Sequence, residues 1–142
     1  MPRLRNSLVI AASVLLIASS GAHSLLGWPA LRAKLDAASV PADLVQGLAM
    51  GWHFAGLAML VLGIVTLWLL RVERHHGANV RLPLFVIGGA YELFGIGCLV
   101  LLGWDPFLLT FLVPGALLSA AAALTPVHPA SVASAYSAER RA

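Results

Sequence analysis

The stretch "LPLFVIGGAYELFGIGCLVLLGW", residues 82 to 104, carries a single charged residue, Glu92, and its reading decides how many times the chain can cross a membrane. At 1.5 Å per residue the segment is long enough for a hydrocarbon core about 30 Å thick. Glu92 would then lie about ten residues, or roughly 15 Å, from either end. A charge at that depth costs at least about 2.5–3.5 kcal/mol on insertion scales. Protonation, or a cation or hydrogen-bond donor beside the carboxyl, lowers that cost. The helical neighbours of Glu92 at i−4, i+3 and i+7 are Gly88, Gly95 and Leu99. This small-residue face points the carboxyl into a bundle, and the segment is read as a span.

The rest of the chain repeats the pattern. Hydrophobic residues make up 60% of it and charged residues only 11%, against about 25% charged in an ordinary soluble domain. Charge-free runs cover 6–31, 44–70, 82–91, 93–104 and 106–138. Runs of about 18 or more apolar residues can cross a bilayer, which gives spans at about 6–27, 45–70, 82–104 and 107–124. The expected fold is all-α: an integral membrane four-helix bundle over residues 1–124 with a flexible cytoplasmic tail at 125–142, and the lipid bilayer as its first partner.

The net charge of +3 reads as topology rather than nucleic-acid binding. Arg3, Arg5, Arg71, Arg74, Arg81, Arg140 and Arg141 fall on one side of the four-span arrangement, and only Arg32 and Lys34 on the other. Basic residues concentrate on the cytoplasmic side, so both termini are expected there. Trp28 and Trp104 fall at the outer boundary and Trp68 near the inner one, as interfacial anchors would. Residues 1–22 also fit a cleavable signal peptide: Arg3 and Arg5, an apolar run to Ala18, then Ser20-Gly21-Ala22. Apolar residues resume at Leu25 and Leu26 and end at Trp28, which favours a retained helix. Cys98 is the single cysteine, so no disulfide forms within the chain.

Between the first two spans, Leu31 and Leu35 at i, i+4 with Arg32, Lys34 and Asp36 between them predict a short amphipathic surface helix. Asp105 is placed to cap the fourth helix, with Pro106 in its first turn. The short connection between spans two and three makes them expected antiparallel neighbours. Gly47 with Gly51, Gly88 with Glu92, and Gly56 with Gly63 have spacings that permit close helix contact.

Four polar residues inside the spans are candidates to bind a ligand or proton. Glu92 is the buried acid. His53, about 12 Å below the outer side, is its expected partner, with Gln46, Met50 and Gly56 on the same helical face. His23, near the outer end of the first helix beside Ser19, Ser20 and Ser24, is the gate-side residue. Together His23, His53 and Glu92 would descend from the outer surface into an outward-opening polar pocket. If that pocket held copper, Met50, His53 and His23 would be the ligands, because thioether and imidazole suit that metal. If it held haem, the two histidines would be axial ligands.

The run "GAHSLLGWPALRAKL" resembles a group of small bacterial inner-membrane proteins in which a His-Ser-x-Leu-Gly stretch closes the first of four helices. Here His23, Ser24, Leu26 and Gly27 carry that resemblance, which implies the architecture and the inner-membrane location but no activity. The DoxX-like four-helix proteins, some associated with quinone-linked redox complexes, are similar in size and span number. Three functions stay open at this point. The first is a binding protein for a small ligand, proton or metal ion, as a homo-oligomer or an accessory subunit of a membrane complex. The second is a membrane enzyme acting on a quinone- or isoprenoid-like substrate by acid–base chemistry. The third is a structural scaffold.

Overall fold

The computed structural model describes residues 2–125, and among these every regular element is helical. Helix α1 spans Pro2–Ala22 and passes without a break through a π-helical turn, His23–Gly27, into α2, Trp28–Ala37. Helix α3 spans Ala42–His76, α4 Arg81–Leu102 and α5 Leu109–Ala123, the last preceded by a 3₁₀ turn at Pro106–Leu108. Four continuous rods, Arg3–Ala37, Ala42–His76, Arg81–Leu102 and Pro106–Ala123, are long and apolar enough to cross a membrane. This is the length and composition of a multi-pass membrane protein. Apart from Thr125, the predicted tail at 125–142 lies outside the described residues.

Local signals explain most of the boundaries. The Asp105 carboxylate accepts from the Phe107 N–H at 2.7 Å, as its capping position predicts. Helix α3 runs six residues beyond the expected span end and stops at Gly77, whose φ of 63° closes the last turn with an N–H bond to Glu73 O at 2.9 Å. A residue without Cβ adopts that left-handed conformation without strain. Much of the expected inner loop is therefore helix. The amphipathic segment also forms: Leu31 and Leu35 are half-buried while Arg32, Lys34 and Asp36 are exposed. It continues the first helix rather than following a loop, and an Arg32–Asp36 ion pair of 3.3 Å spans one of its turns.

Buried residues recur at alternating steps of three and four. Helix α3 buries Gly56, Met59, Gly63, Thr66 and Leu70, and α4 buries Leu84, Gly88, Tyr91 and Gly95. That spacing lets helices pack lengthwise at a shallow angle. Glycines set which helices meet. A Cβ on Gly63 would lie 3.1 Å from Ser13 O, and one on Gly88 would lie 2.8 Å from Ser119 N and 2.9 Å from Gly115 O. Thus α3 packs on α1, α1 on α5, and α5 on α4. Spans two and three, expected as neighbours, share no comparable contact. The four-residue connection fixes their ends together but leaves their faces to better partners. Gly47 and Gly51 face open space, so their spacing makes no contact within the bundle.

Two polar links cross the α1–α3 seam. The Ser13 and Thr66 hydroxyls, both fully buried, meet at 2.6 Å. At the end carrying the N-terminus, the Arg5 guanidinium pairs with the Glu73 carboxylate, their side chains only 10% and 15% exposed. Arg5 also donates to Asn6 Oδ1 at 2.8 Å.

Candidate functional site

The opposite end of the bundle holds the His23 site. The π turn that begins at His23 leaves its carbonyl accepting from the Trp28 N–H, five residues on, rather than four. The same carbonyl takes a second bond, 2.7 Å, from the Trp52 indole N–H. Trp52 reciprocates: its own carbonyl lies 3.1 Å from His23 Nε2. The two rings stack with centroids 4.2 Å apart and planes within 4°. Each residue therefore offers a ring nitrogen to the other's backbone. π-helical turns concentrate at functional positions because they redirect a side chain and a carbonyl.

Glycines make room for this arrangement. A Cβ on Gly27 would lie 2.9 Å from Trp52 Cζ2, and one on Gly56 would crowd Ser24 Oγ and lie 3.5 Å from His23 Cδ2. His23 also lines a cleft of about 340 Å³. Its walls are Ser19, Ala22, His23, Leu26 and Gly27 from the first rod, Met59 from α3, and Phe107 and Thr110 at the start of the last rod. The Phe107 ring lies 6.3 Å from His23. A second cleft of about 240 Å³ shares Ser19 and Thr110 and extends along Leu15, Leu109, Val113 and Pro114.

One atom of the His23 ring stands out. His23 is 8% exposed, and its Nδ1 is buried with no hydrogen-bond partner among the described residues. A carbonyl can only accept, so the contact with Trp52 O requires the proton on Nε2. In the neutral imidazole Nδ1 then presents a lone pair. Leaving a buried acceptor unpaired costs about 1–3 kcal/mol.

The other predicted residues lie elsewhere. Glu92 is half-buried at the α4–α5 seam, its Cγ packed over Gly115, and its Oε2 accepts from Ser119 Oγ at 3.2 Å. His53 is exposed, and its nearest aromatic neighbour is Trp28, with ring centroids 5.7 Å apart. No hydrogen bond or ion pair joins His53 to Glu92 among the described residues. The expected pair is not formed because α3 and α4 do not pack together and each residue faces away from the other's helix. Gln46 is exposed and lines a separate surface groove with Arg32, Asp36 and Val45. Met50 is 67% exposed, so the predicted copper set of Met50, His53 and His23 is split between an outer face and a buried cleft. Among the described residues no three His, Cys, Asp or Glu side chains gather as a metal set.

Sequence reading singled out His23, which lies toward the end of the apolar part of the first rod and lines the cleft, but missed Trp52, Met59 and Phe107. Trp52 was legible. It extends the buried seam of Gly56, Met59, Gly63, Thr66 and Leu70 by one four-residue step toward the N-terminus of α3, whereas His53 lies about 100° off that seam.

No family model, curated protein or solved structure matches this chain. The functional reading rests on the site.

Proposed function

We propose that this is a multi-pass membrane protein that binds a small, largely apolar molecule in the His23 cleft. The observation that carries the reading is a cleft of about 340 Å³, of ligand size, walled by His23, Ser19 and Thr110 among apolar side chains. Small-molecule sites are usually concave, mostly apolar and furnished with a few placed polar groups, and His23, Ser19 and Thr110 supply them here. The seven-to-two distribution of basic residues supports cytoplasmic termini, with the His23 end outward, in a bacterial inner membrane. Large apolar side chains exposed along α3 and α4 suit lipid contact, and also assembly as a homo-oligomer or an accessory subunit.

The enzymatic alternative, acid–base chemistry on a quinone- or isoprenoid-like substrate, needs an acid opposite an imidazole. Glu92 instead accepts a hydrogen bond from Ser119, and His23 would be a lone base. A pure scaffold finds its polar locks in Ser13–Thr66 and Arg5–Glu73, and has no use for the cleft.

The test is native mass spectrometry of the protein purified in lipid nanodiscs, compared with Ser19→Leu, which fills the junction of the two clefts. A low-mass adduct on the wild type that is absent from a folded Ser19→Leu variant supports the reading. An adduct-free wild type, or an adduct indifferent to the substitution, contradicts it.

A further inference from the structure

We infer that the molecule held in the cleft is a phospholipid of the surrounding bilayer, one acyl chain of which enters from the side, between the first and last rods, in the leaflet at the His23 end. This deepens the proposed function and rests on it. The two clefts share Ser19 and Thr110, so together they form one path along α1 and α5. It starts at Gly27 and Phe107, next to Trp28, and ends at Leu15 and Pro114. Gly27 lies twelve positions after Leu15, about 18 Å of helix at about 1.5 Å per residue. Half of a hydrocarbon core about 30 Å thick is about 15 Å. The path therefore has the length of one leaflet, and a tryptophan of the kind that anchors at membrane boundaries stands at its upper end.

The rim of the path belongs to the bundle's surface. Leu26 is 72% exposed, Leu109 46% and Leu15 38%, so in a bilayer these side chains meet lipid and the path opens toward it. The base is different. Met59 of α3 is 5% exposed and Pro114 is fully buried. An occupant of the upper cleft thus reaches past α1 and α5 to a third helix, which a lipid lying on the surface does not. Hydrocarbon suits this space better than water, because a buried water needs about two to four polar partners. Among the described residues the lower cleft offers only the hydroxyls of Ser19 and Thr110, and Thr110 already donates to Phe107 O at 2.7 Å. Left empty, the apolar walls would lose their contacts on one side. An acyl chain at the rim fills the space without leaving the bilayer, and its headgroup stays beside Trp28.

The test uses two phosphatidylcholines, one with a diazirine near the carbonyl of one acyl chain and one with it near the methyl end. Each is placed with the wild-type protein in nanodiscs of otherwise unlabelled phosphatidylcholine and photolysed, and labelled residues are read by peptide mass spectrometry. The first probe should label Met59, which surface lipid cannot touch, and the second should label Leu15. In Ser19→Leu both labels should fall several-fold, while labelling of Leu93 on the exposed face of α4 is unchanged. An unlabelled Met59, the two labels in reversed order, or labels indifferent to Ser19→Leu overturn the assignment. So does labelling of Met59 by photoreactive palmitic acid when neither phosphatidylcholine labels it, because the occupant is then a free fatty acid. If the assignment falls and the wild type still carries a Ser19-dependent adduct, the cleft reading stands; with neither adduct nor label, both fall. Should Ser19→Leu fail to fold, the order of labels on the wild type decides alone.

Discussion

At one end of the bundle Arg5 and Glu73 join two full charges, and at the other His23 and Trp52 join two neutral rings. Both pairs tie the first rod to α3, and both leave atoms unused: Arg5 Nε and Glu73 Oε2 at one end, His23 Nδ1 at the other. What separates them is the space beside those atoms. Neither Arg5 nor Glu73 lines any of the clefts described above, whereas His23 forms a wall of one. An ion pair out of water is held together by the penalty for breaking it, and its role ends with structure. A side chain on the wall of a cleft can be met by something outside the chain.

This contrast sets an order of expected effects. Arg5→Ala or Glu73→Ala should be the most damaging single changes at either end, costing about 3–5 kcal/mol by stranding a buried charge. The double change Arg5→Met with Glu73→Leu should recover most of that loss. Thermal unfolding in detergent measures both. If the double variant is as unstable as the singles, packing rather than charge holds this end.

At the His23 end, Trp52→Ala removes a stacked ring and the indole hydrogen bond to His23 O at a half-buried position, and should cost about 2 kcal/mol. Trp52→Phe, which keeps the stack and loses the indole donor, should cost about 1 kcal/mol. A pair of neighbouring glycines checks the seam that separates the two ends. Gly88→Ala drives a Cβ into the backbone of α5 at Ser119 N and Gly115 O, and should cost about 1–3 kcal/mol. Gly89→Ala meets nothing within 4 Å and should be neutral or slightly stabilising. The smallest effect belongs to Glu92→Gln. It retains an acceptor for Ser119, so stability should change by less than about 1 kcal/mol, and ligand binding at His23 should not change. Loss of binding in that variant would return Glu92 to the site.

The sequence made the four rods legible because hydropathy and charge placement are local and cumulative. Asp105 as a cap and the amphipathic run at Leu31–Leu35 were legible for the same reason. The order in which the rods pack was not. A short connection between spans two and three suggested adjacency, but partner choice depends on glycine seams matching across helices distant in sequence, Gly63 against Ser13 and Gly88 against Ser119. The candidate site was half legible. His23 declared itself as a polar residue in an apolar run. Its partner was legible only as a position on the buried seam of α3, because Trp52 reads as one more apolar residue until its indole N–H and carbonyl are placed. Glu92 and His53 were paired on depth alone, and depth says nothing of which way a side chain faces.

The account depends on which nitrogen of His23 carries the proton. Histidine-selective ¹⁵N NMR of the protein in lipid nanodiscs, with the His23 signals assigned by their loss in His23→Phe, measures this directly. The account predicts a proton on Nε2, donated to the Trp52 carbonyl, and a bare Nδ1. A proton found on Nδ1 would contradict it, since the Trp52 carbonyl would then have no partner in the ring.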